Sequence, residues 1–463
     1  MILIKSKSTK PMEPGAVAGV NRRLLLFVAT GLVMALFVAV VQIPSYSEDS
    51  QRAAGAMTVF NRTSAALEKP ASGLTEDEIA RHDVGDPLFE RSHVPLATHP
   101  GAGLGPLFNA NSCVACHVRN GRGSAVPGMS LVRVALQEAG GSKPVPNWGW
   151  QIQDQAIFGH EPEATVALRW QEEPQVAGEP SLRRVHVDLI GPDGQFVEEP
   201  EMNRSLRTPP PLIGLGLLEA IPEQRILDGA DADDQDGDGI SGRPVWLDRG
   251  DGRRELGRFG WKAGTATVQE QTVEAYLNDM GLTTPAGPHT SQTMAGQPAD
   301  IPWEEVKAVT FYNQSLGAPA TRWSVQDPVV AKGQSLFRNL ECATCHTPSH
   351  GTSTDPSLVV AAIRDQTIWP YTDLLVHDMG PGLDDGVAEQ GLTSSAEWRT
   401  APLWGLGLAQ RVNGKAGYLH DGRARTVDEA IRWHGGEAGR SKERYLALAP
   451  NDRQSLLTWL QGL

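Results

Sequence analysis

The longest uninterrupted apolar run in the chain is residues 24–41, LLLFVATGLVMALFVAVV, which carries no charged or strongly polar side chain. At about 1.5 Å per residue such a helix is roughly 27 Å long, enough to cross a hydrocarbon core. Lys5, Lys7, Lys10, Arg22 and Arg23 precede it against the single acid Glu13, a bias that keeps the N-terminus cytoplasmic and exports everything beyond residue 42. A cleaved signal peptide is the competing reading, but the run exceeds the usual apolar region of one and no A-x-A site follows. The pattern thus predicts a cytoplasmic tail over 1–23, a single-pass anchor over 24–42 and a polar, small-residue tether over 43–73.

Beyond the tether the periodicity is chiefly helical. Asp327-Pro328 reads as a cap followed by a first-turn proline, opening VVAKGQSLFRN, and Pro302 opens WEEVKAVTFYNQSL. Thr426-Val-Asp-Glu429 is a capping box before Ala430-Ile431-Arg-Trp433. Thr165–Trp170 and Arg184–Leu189 instead alternate apolar and polar residues, which predicts two paired strands in the first half. The Thr/Pro/Gly-rich stretch 283–300 reads as a linker.

Two patterns recur in the same order. Leu107-Phe108 and Leu336-Phe337 each stand five residues ahead of C-x-x-C-H, and RTPPPLIGLGL from Arg207 matches RTAPLWGLGL from Arg399 with one insertion. An internal duplication follows, with one copy in 74–282 and the other in 301–463.

Composition narrows the chemistry. With 55 Asp+Glu against 41 Lys+Arg the net charge is −14, and no basic cluster lies beyond residue 30, which excludes nucleic acid as a partner. The chain has 4 Cys, all within Cys113-Val-Ala-Cys116-His117 and Cys342-Ala-Thr-Cys345-His346, so no thiol remains for disulfides, zinc or nucleophilic catalysis elsewhere. C-x-x-C-H is the attachment signature of c-type haem: each Cys adds to a vinyl group, and the His ligates iron. Two covalent haems c are expected, with His117 and His346 as proximal ligands, and structural disulfides are the alternative. The expected fold class is mainly α: two cytochrome c-like haem domains, a small β insertion in the first, and the N-terminal transmembrane helix.

A sixth ligand decides whether an iron relays electrons or meets a small molecule. Met379, 33 residues after His346 and flanked by Asp378 and Gly380, is the candidate for the second haem, the alternative being a packing role. In the first half Met129, Met202, Met280, His93, His99 and His160 are open candidates. Asp234, Asp236 and Asp238 before Gly239 fit D-x-D-x-D-G, whose alternating carboxylates suit a calcium ion; Val245 at the twelfth position excludes a full EF-hand, and a solvated acidic turn is the alternative.

YTDLLVHDMGPGLDDG, EWRTAPLWGLG and GYLHDGRARTVDEAIRWHGGEA resemble the C-terminal haem domain of the di-haem cytochrome c peroxidase superfamily, above all its di-haem oxidoreductase, or thiol oxidoreductase, branch. GDPLFERSHVP, GLGPLFNANSCVACHVRNGRG and DQDGDGISGR extend the resemblance through the first half, so that it covers roughly 80–463. It implies a periplasmic enzyme, held at the bacterial inner membrane by the predicted anchor. Two helical haem domains would face each other, one haem relaying electrons and the other binding peroxide or another small oxidant. It also implies a distal acid/base, for which Glu163 is preferred over Glu161, and a calcium near the domain interface. His377 would position Met379 or a propionate, and His420 would be a structural hydrogen-bonder. Trp369, Trp398 and Trp404, expected together in the second haem domain, are candidates for electron hopping or for core packing. A small cytochrome or copper protein would donate electrons. A closed electron carrier, and an enzyme oxidising a thiol or protein, are the alternative functions.

Overall fold

The computed structural model describes residues 51–463 apart from 97–98, 100, 139–140, 175–177, 198–200, 286–298 and 325. The run 24–41 and most of the 283–300 linker lie outside the described residues. The longest described helix, α1 (Glu76–Glu90), has 15 residues and is roughly 22 Å long, short of a membrane's roughly 30 Å core. No helix among the described residues is long and apolar enough to cross a membrane. The fold class, which included a transmembrane helix, and the inner-membrane, periplasmic localisation are corrected to that statement: the described residues contain no membrane-spanning helix.

The mainly α expectation is corrected as well: of the described residues 30% are helical and 19% lie in strands. The additional strand comes from pairings between segments distant in sequence. β1 (Leu131–Glu138) is central; β2 (Gly141–Lys143) and β3 (Gln151–Ile152) pair along one edge of it. A hairpin of β4 (Thr165–Glu172) and β5 (Arg183–Ile190) matches the predicted alternation and runs in register from Thr165↔Ile190 to Glu172↔Arg183. β6 (Met202–Arg207) returns to the free edge of β1, antiparallel from Leu131↔Arg207 to Leu136↔Met202. Val132, Val134, Met202 and Leu206 bury themselves against Val166 and Leu189 of the hairpin. Each large apolar side chain so buried contributes about 1.5–3 kcal/mol.

α1 opens on a complete capping box, Thr75 with Glu78. With α2 (Val268–Met280) and α3 (Trp303–Ser315) it encloses a core of Phe89, Val273, Tyr276, Met280, Val306, Val309 and Tyr312, and Cys113 packs at its border. α3, which follows the linker in sequence, therefore packs around the first pentapeptide. α4 (Pro328–Asn339) starts as predicted, with the Asp327 carboxylate accepting from Val329 N at 2.8 Å, and leads into the second pentapeptide. The short strands β7 (Val376–Asp378) and β8 (Glu397–Arg399) pair next, followed by α5 (Val427–Trp433) and α6 (Pro450–Leu460), whose Trp459 meets Phe337 at 4.7 Å.

Residues 51–73, expected as a tether, are instead packed. Ala54, Met57, Leu67 and Ala71 are buried with Ile213, Leu217 and Trp404, and Thr58–Val59 pairs in parallel with Ala318–Pro319.

The duplication is visible in the backbone. β6 and β8 end on the matching Arg207 and Arg399, and Gly214 and Gly405 then take φ +70° and +71° as caps of the next short helices. That left-handed conformation favours glycine. A third pair of matching elements is at the start of α2 and α5. Thr267 and Thr426 cap the two helices by accepting from Glu270 N and Glu429 N, and each Glu reaches back to a backbone N–H, of Ala266 or Arg425, at 2.8 Å.

Candidate haem centres

Cys113–Cys116 forms one helical turn that brings His117 N to Cys113 O at 2.9 Å. His117 Nδ1 donates to the Pro210 carbonyl at 3.0 Å, which orients the ring and leaves Nε2 with its lone pair; burial pushes this imidazole down to about 4. The same burial, with Asp279 nearby, pushes the Cys113 and Cys116 thiols up to about 12, the opposite of a nucleophilic cysteine. A thioether has no proton to lose and suits this wall.

A cavity of about 480 Å³ opens beside the turn, within the usual range for cofactor sites. Its walls combine apolar side chains such as Phe89, Leu131 and Phe259 with the guanidinium groups of Arg122, Arg207 and Arg399. Arg122 donates to Leu419 O at 3.0 Å, and Arg399 to Gly260 O and Thr400 O at 2.9 and 3.1 Å. Burial pulls both down to about 10. Among the described residues neither guanidinium forms an ion pair, although the charge of Asp373 acts on Arg399. Apolar walls, unmatched guanidiniums and a presented imidazole suit a haem, whose flat apolar ring carries two propionates.

The acids of this cavity are not the ones the sequence suggested. Glu274 lines it and is pushed up to about 7, by burial first and then by Glu270, Glu389 and Asp279; burial raises Asp279 to about 6. Glu163 is not among the lining residues: its carboxylate accepts from Gln153 N at 2.8 Å and its own N–H donates to Gln153 O, which closes a loop. Glu161 is exposed. Nothing in the local sequence singles out Glu274; its signal is its place two turns beyond the Thr267 cap. Of the first-half ligand candidates, Met280 lines the cavity and is packed in the helical core, and Met202 is in the sheet core. His93 is buried edge-on to Tyr276, His99 and His160 are exposed, and Met129 is half-buried.

Around the second pentapeptide His346 Nδ1 donates to the carbonyl of Tyr371 at 3.0 Å. Tyr371 holds φ +55°, a strained conformation for a tyrosine, at the residue whose carbonyl receives that bond. Burial, and after it the neighbouring His434, pushes His346 down to about 4. Cys342 is raised to about 12 by burial.

His377 is not solvent-facing, with its side chain 3% exposed. Its Nε2 bonds Asp373 at 2.9 Å and its Nδ1 bonds Glu437 at 2.7 Å, with Cys345 Sγ 3.5 Å away. Burial opposes its charge, but the two carboxylates outweigh burial and hold it protonated well above the usual histidine value. With both nitrogens engaged it offers no lone pair to a metal. Met379, at the end of β7, is half-buried and bonds Ala396 O through its backbone N–H at 3.0 Å.

His420 stacks on Trp398 with centroids 3.7 Å apart, and its carbonyl accepts from Thr208 N at 2.7 Å. Arg207 and Lys262 flank the same indole at 4.7 and 4.1 Å. Trp404 lines the first cavity, although its sequence position lies in the second half, and Trp369 packs beside Ala53, whose carbonyl accepts its backbone N–H.

The acidic loop brings Asp231, Asp234 and Asp236 together, with ligand oxygens within 4.8 Å of one another. Asp238, expected in that set, turns instead to Ile240 N at 2.8 Å. Ser241, just beyond, bonds Glu437 at 2.6 Å and so ties the loop to the His377 network.

A family model described as "Di-haem oxidoreductase, putative peroxidase" matches residues 46–141, 196–301 and 303–463. No curated protein matches the chain. Among solved structures, hydrazine synthase of Kuenenia stuttgartiensis, pressurised with 20 bar xenon, is similar at 14% identity and a TM-score of 0.36, over 86% of this chain and 94% of that one.

Proposed function

We propose that this chain, which belongs to the di-haem oxidoreductase family, is a c-type enzyme that reduces peroxide at the first haem with electrons relayed through the second. The observation that carries the reading is the first cavity: a presented His117, the guanidiniums of Arg122 and Arg399 held by carbonyl oxygens, and a protonatable acid, Glu274, in one wall. When bound, the haems supply one-electron redox chemistry, through thioethers to Cys113 and Cys116 and to Cys342 and Cys345.

The protein's own residues do the rest. The carbonyls of Pro210 and Tyr371 fix the tautomer of His117 and His346. Arg122 and Arg399 bind propionates, and apolar walls limit water. Glu274 takes the proton from the attacking oxygen of hydrogen peroxide and returns it to the departing one. Two electrons and two further protons complete the conversion to two waters, the electrons coming from a small cytochrome or copper protein. Glu163 keeps its loop-closing role. Met379 is not needed in this scheme. A divalent cation, with calcium the best match to oxygen-only ligands, is proposed at Asp231, Asp234 and Asp236.

The test is peroxide consumption by the haem-loaded chain with a ferrocytochrome donor, alongside the spin state of both haems. Turnover with one high-spin haem supports the reading. No turnover and two closed low-spin haems would make the chain an electron carrier.

A further inference from the structure

We propose that the outer edge of β5 is a docking groove for another protein, which adds an extended acidic segment to the hairpin as a third strand. The proposal goes beyond the peroxide reading and stands without it.

The hairpin lies outside what the family shares. The matched segments of the family model stop at 141 and resume at 196, so β4 and β5 fall between them. Its tip is nevertheless fastened to the second half. Arg453 pairs with Glu179 at 2.9 Å, Arg425 donates to Ser181 O at 2.7 Å, and Arg183 donates to Arg423 O at 3.1 Å. A hairpin so held presents a rigid edge, which lowers the ordering cost of binding.

That edge is unpaired. Leu189 O accepts from Val197 N at 2.9 Å, so Leu189 turns its backbone groups away from β4. Alternation along the strand turns those of Val187 and Val185 the same way. Among the described residues neither has a backbone partner there. Free strand edges are ordinarily blunted by proline, lysine or a covering element, and Arg183–Ile190 contains neither proline nor lysine. An open groove of about 1100 Å³ stands where a covering element would be, lined by Val185, Val187, Met202 and Arg204 and, from the second half, by Pro381 and Asp384. At about 3.4 Å per residue, Val185 to Leu189 spans roughly 14 Å, room for a strand of about five residues.

The lining selects the kind of strand. Outward N–H and C=O groups in a row match another extended backbone. Val185, Val187 and Met202 offer an apolar floor to every second side chain. Arg204 supplies the charge: it donates to Val197 O at 2.6 Å, its Nε has no partner, and it forms no ion pair among the described residues. The neighbouring carboxylates are engaged elsewhere, Asp188 with Arg169, Asp385 with Arg207 and Lys262, and Asp384 with Gly386 N. A carboxylate on the incoming strand is therefore the fitting partner for Arg204.

The experiment uses the full haem-loaded chain and two end-blocked heptapeptides, one alternating valine with glutamate and one alternating valine with lysine. The acidic peptide should bind saturably and the lysine peptide more weakly. Binding should slow hydrogen exchange of the Val185 and Val187 amides by about tenfold and leave those of Arg184 and His186, which face β4, unchanged. Val185→Pro removes one outward N–H, spares the bonds to β4, and should weaken binding by about tenfold with the haem spectra unchanged. Arg204→Glu should transfer the preference to the lysine peptide. Failure of the acidic peptide to bind, binding that leaves exchange at Val185 and Val187 unaltered, or an unchanged preference in Arg204→Glu would overturn the proposal. So would slow exchange of these two amides in a free chain that sediments as a dimer, since a second copy would then fill the edge.

Discussion

The two halves of the molecule share a frame and differ at what it presents. Arg207 and Arg399, Gly214 and Gly405, and the Thr267 and Thr426 caps hold equivalent places. Around that frame the first half presents an acid pushed up to about 7, and the second a histidine clamped between carboxylates. A duplicated scaffold needs few changes to separate the roles of its copies, provided those changes fall on cavity walls.

The halves are joined by a buried charge cluster, and breaking it should have the largest effect. Asp385 bonds Arg207 at 2.5 Å and Ser205 at 2.6 Å and pairs with Lys262, whose side chain is fully buried, at 3.2 Å. Asp385→Ala leaves those cations without their main counter-ion and should destabilise the chain by about 3–5 kcal/mol in denaturant unfolding. A loss under about 1 kcal/mol would show the halves are held by other contacts. Burial alone would raise the Asp385 carboxyl, but Arg207 and Lys262 outweigh it and hold it low. Its contribution is therefore present above the unfolded value, near 3.9, and lost as pH falls towards the folded one.

Next comes the chemical difference between the halves. Glu274→Gln should lower peroxide turnover by about 100-fold while the spectrum of the second haem stays unchanged. The carboxylate is the proton acceptor, so turnover should rise as pH passes through about 7, and the variant should flatten that rise. A pH profile identical in both proteins would remove Glu274 from the reaction.

The paired glycines test the frame itself. Gly214→Ala puts a Cβ into the Trp404 ring at a φ of +70° and should cost about 1–3 kcal/mol. Gly405→Ala meets the more yielding end of Ile213 and should cost less. Equal costs would mean that backbone conformation alone sets the penalty.

Glu437 gives the second half its own pH signature. Burial works against its charge, but His377 and Ser241 hold it down to about 2. Its stabilisation is full above the unfolded value near 4.3 and fades as pH falls towards about 2. His377, raised, contributes below about 6.5, and that contribution is lost only as pH rises through its higher folded value. Glu437→Gln should make the acid slope in thermal unfolding shallower, leaving the part due to Asp385, and bring the alkaline loss nearer 6.5. The smallest effect is expected at the loop, where Asp231→Ala with Asp236→Ala should lower the calcium content with little change in turnover; unchanged calcium would leave the loop a plain turn.

The sequence made the local features legible. The pentapeptides, the Asp327 and Thr426 caps and the alternation over 165–170 and 184–189 are each written within a few residues, and local hydrogen bonding decides them. What escaped is non-local. β6 joins β1 across some seventy residues, and neither Met202–Arg207 nor Leu131–Glu138 declares its partner. Glu163 is the acid that the family resemblance brings forward, whereas Glu274 reaches the cavity from α2.

The four cysteine sulfurs set a timetable. Burial in the finished fold pushes the first pair of thiols up to about 12, which suppresses the reactive thiolate at neutral pH. On the proposed c-type reading, bond formation to the vinyl groups would then precede closure of α1, α2 and α3 around Cys113 and Cys116. The pigment would be an early ingredient of assembly.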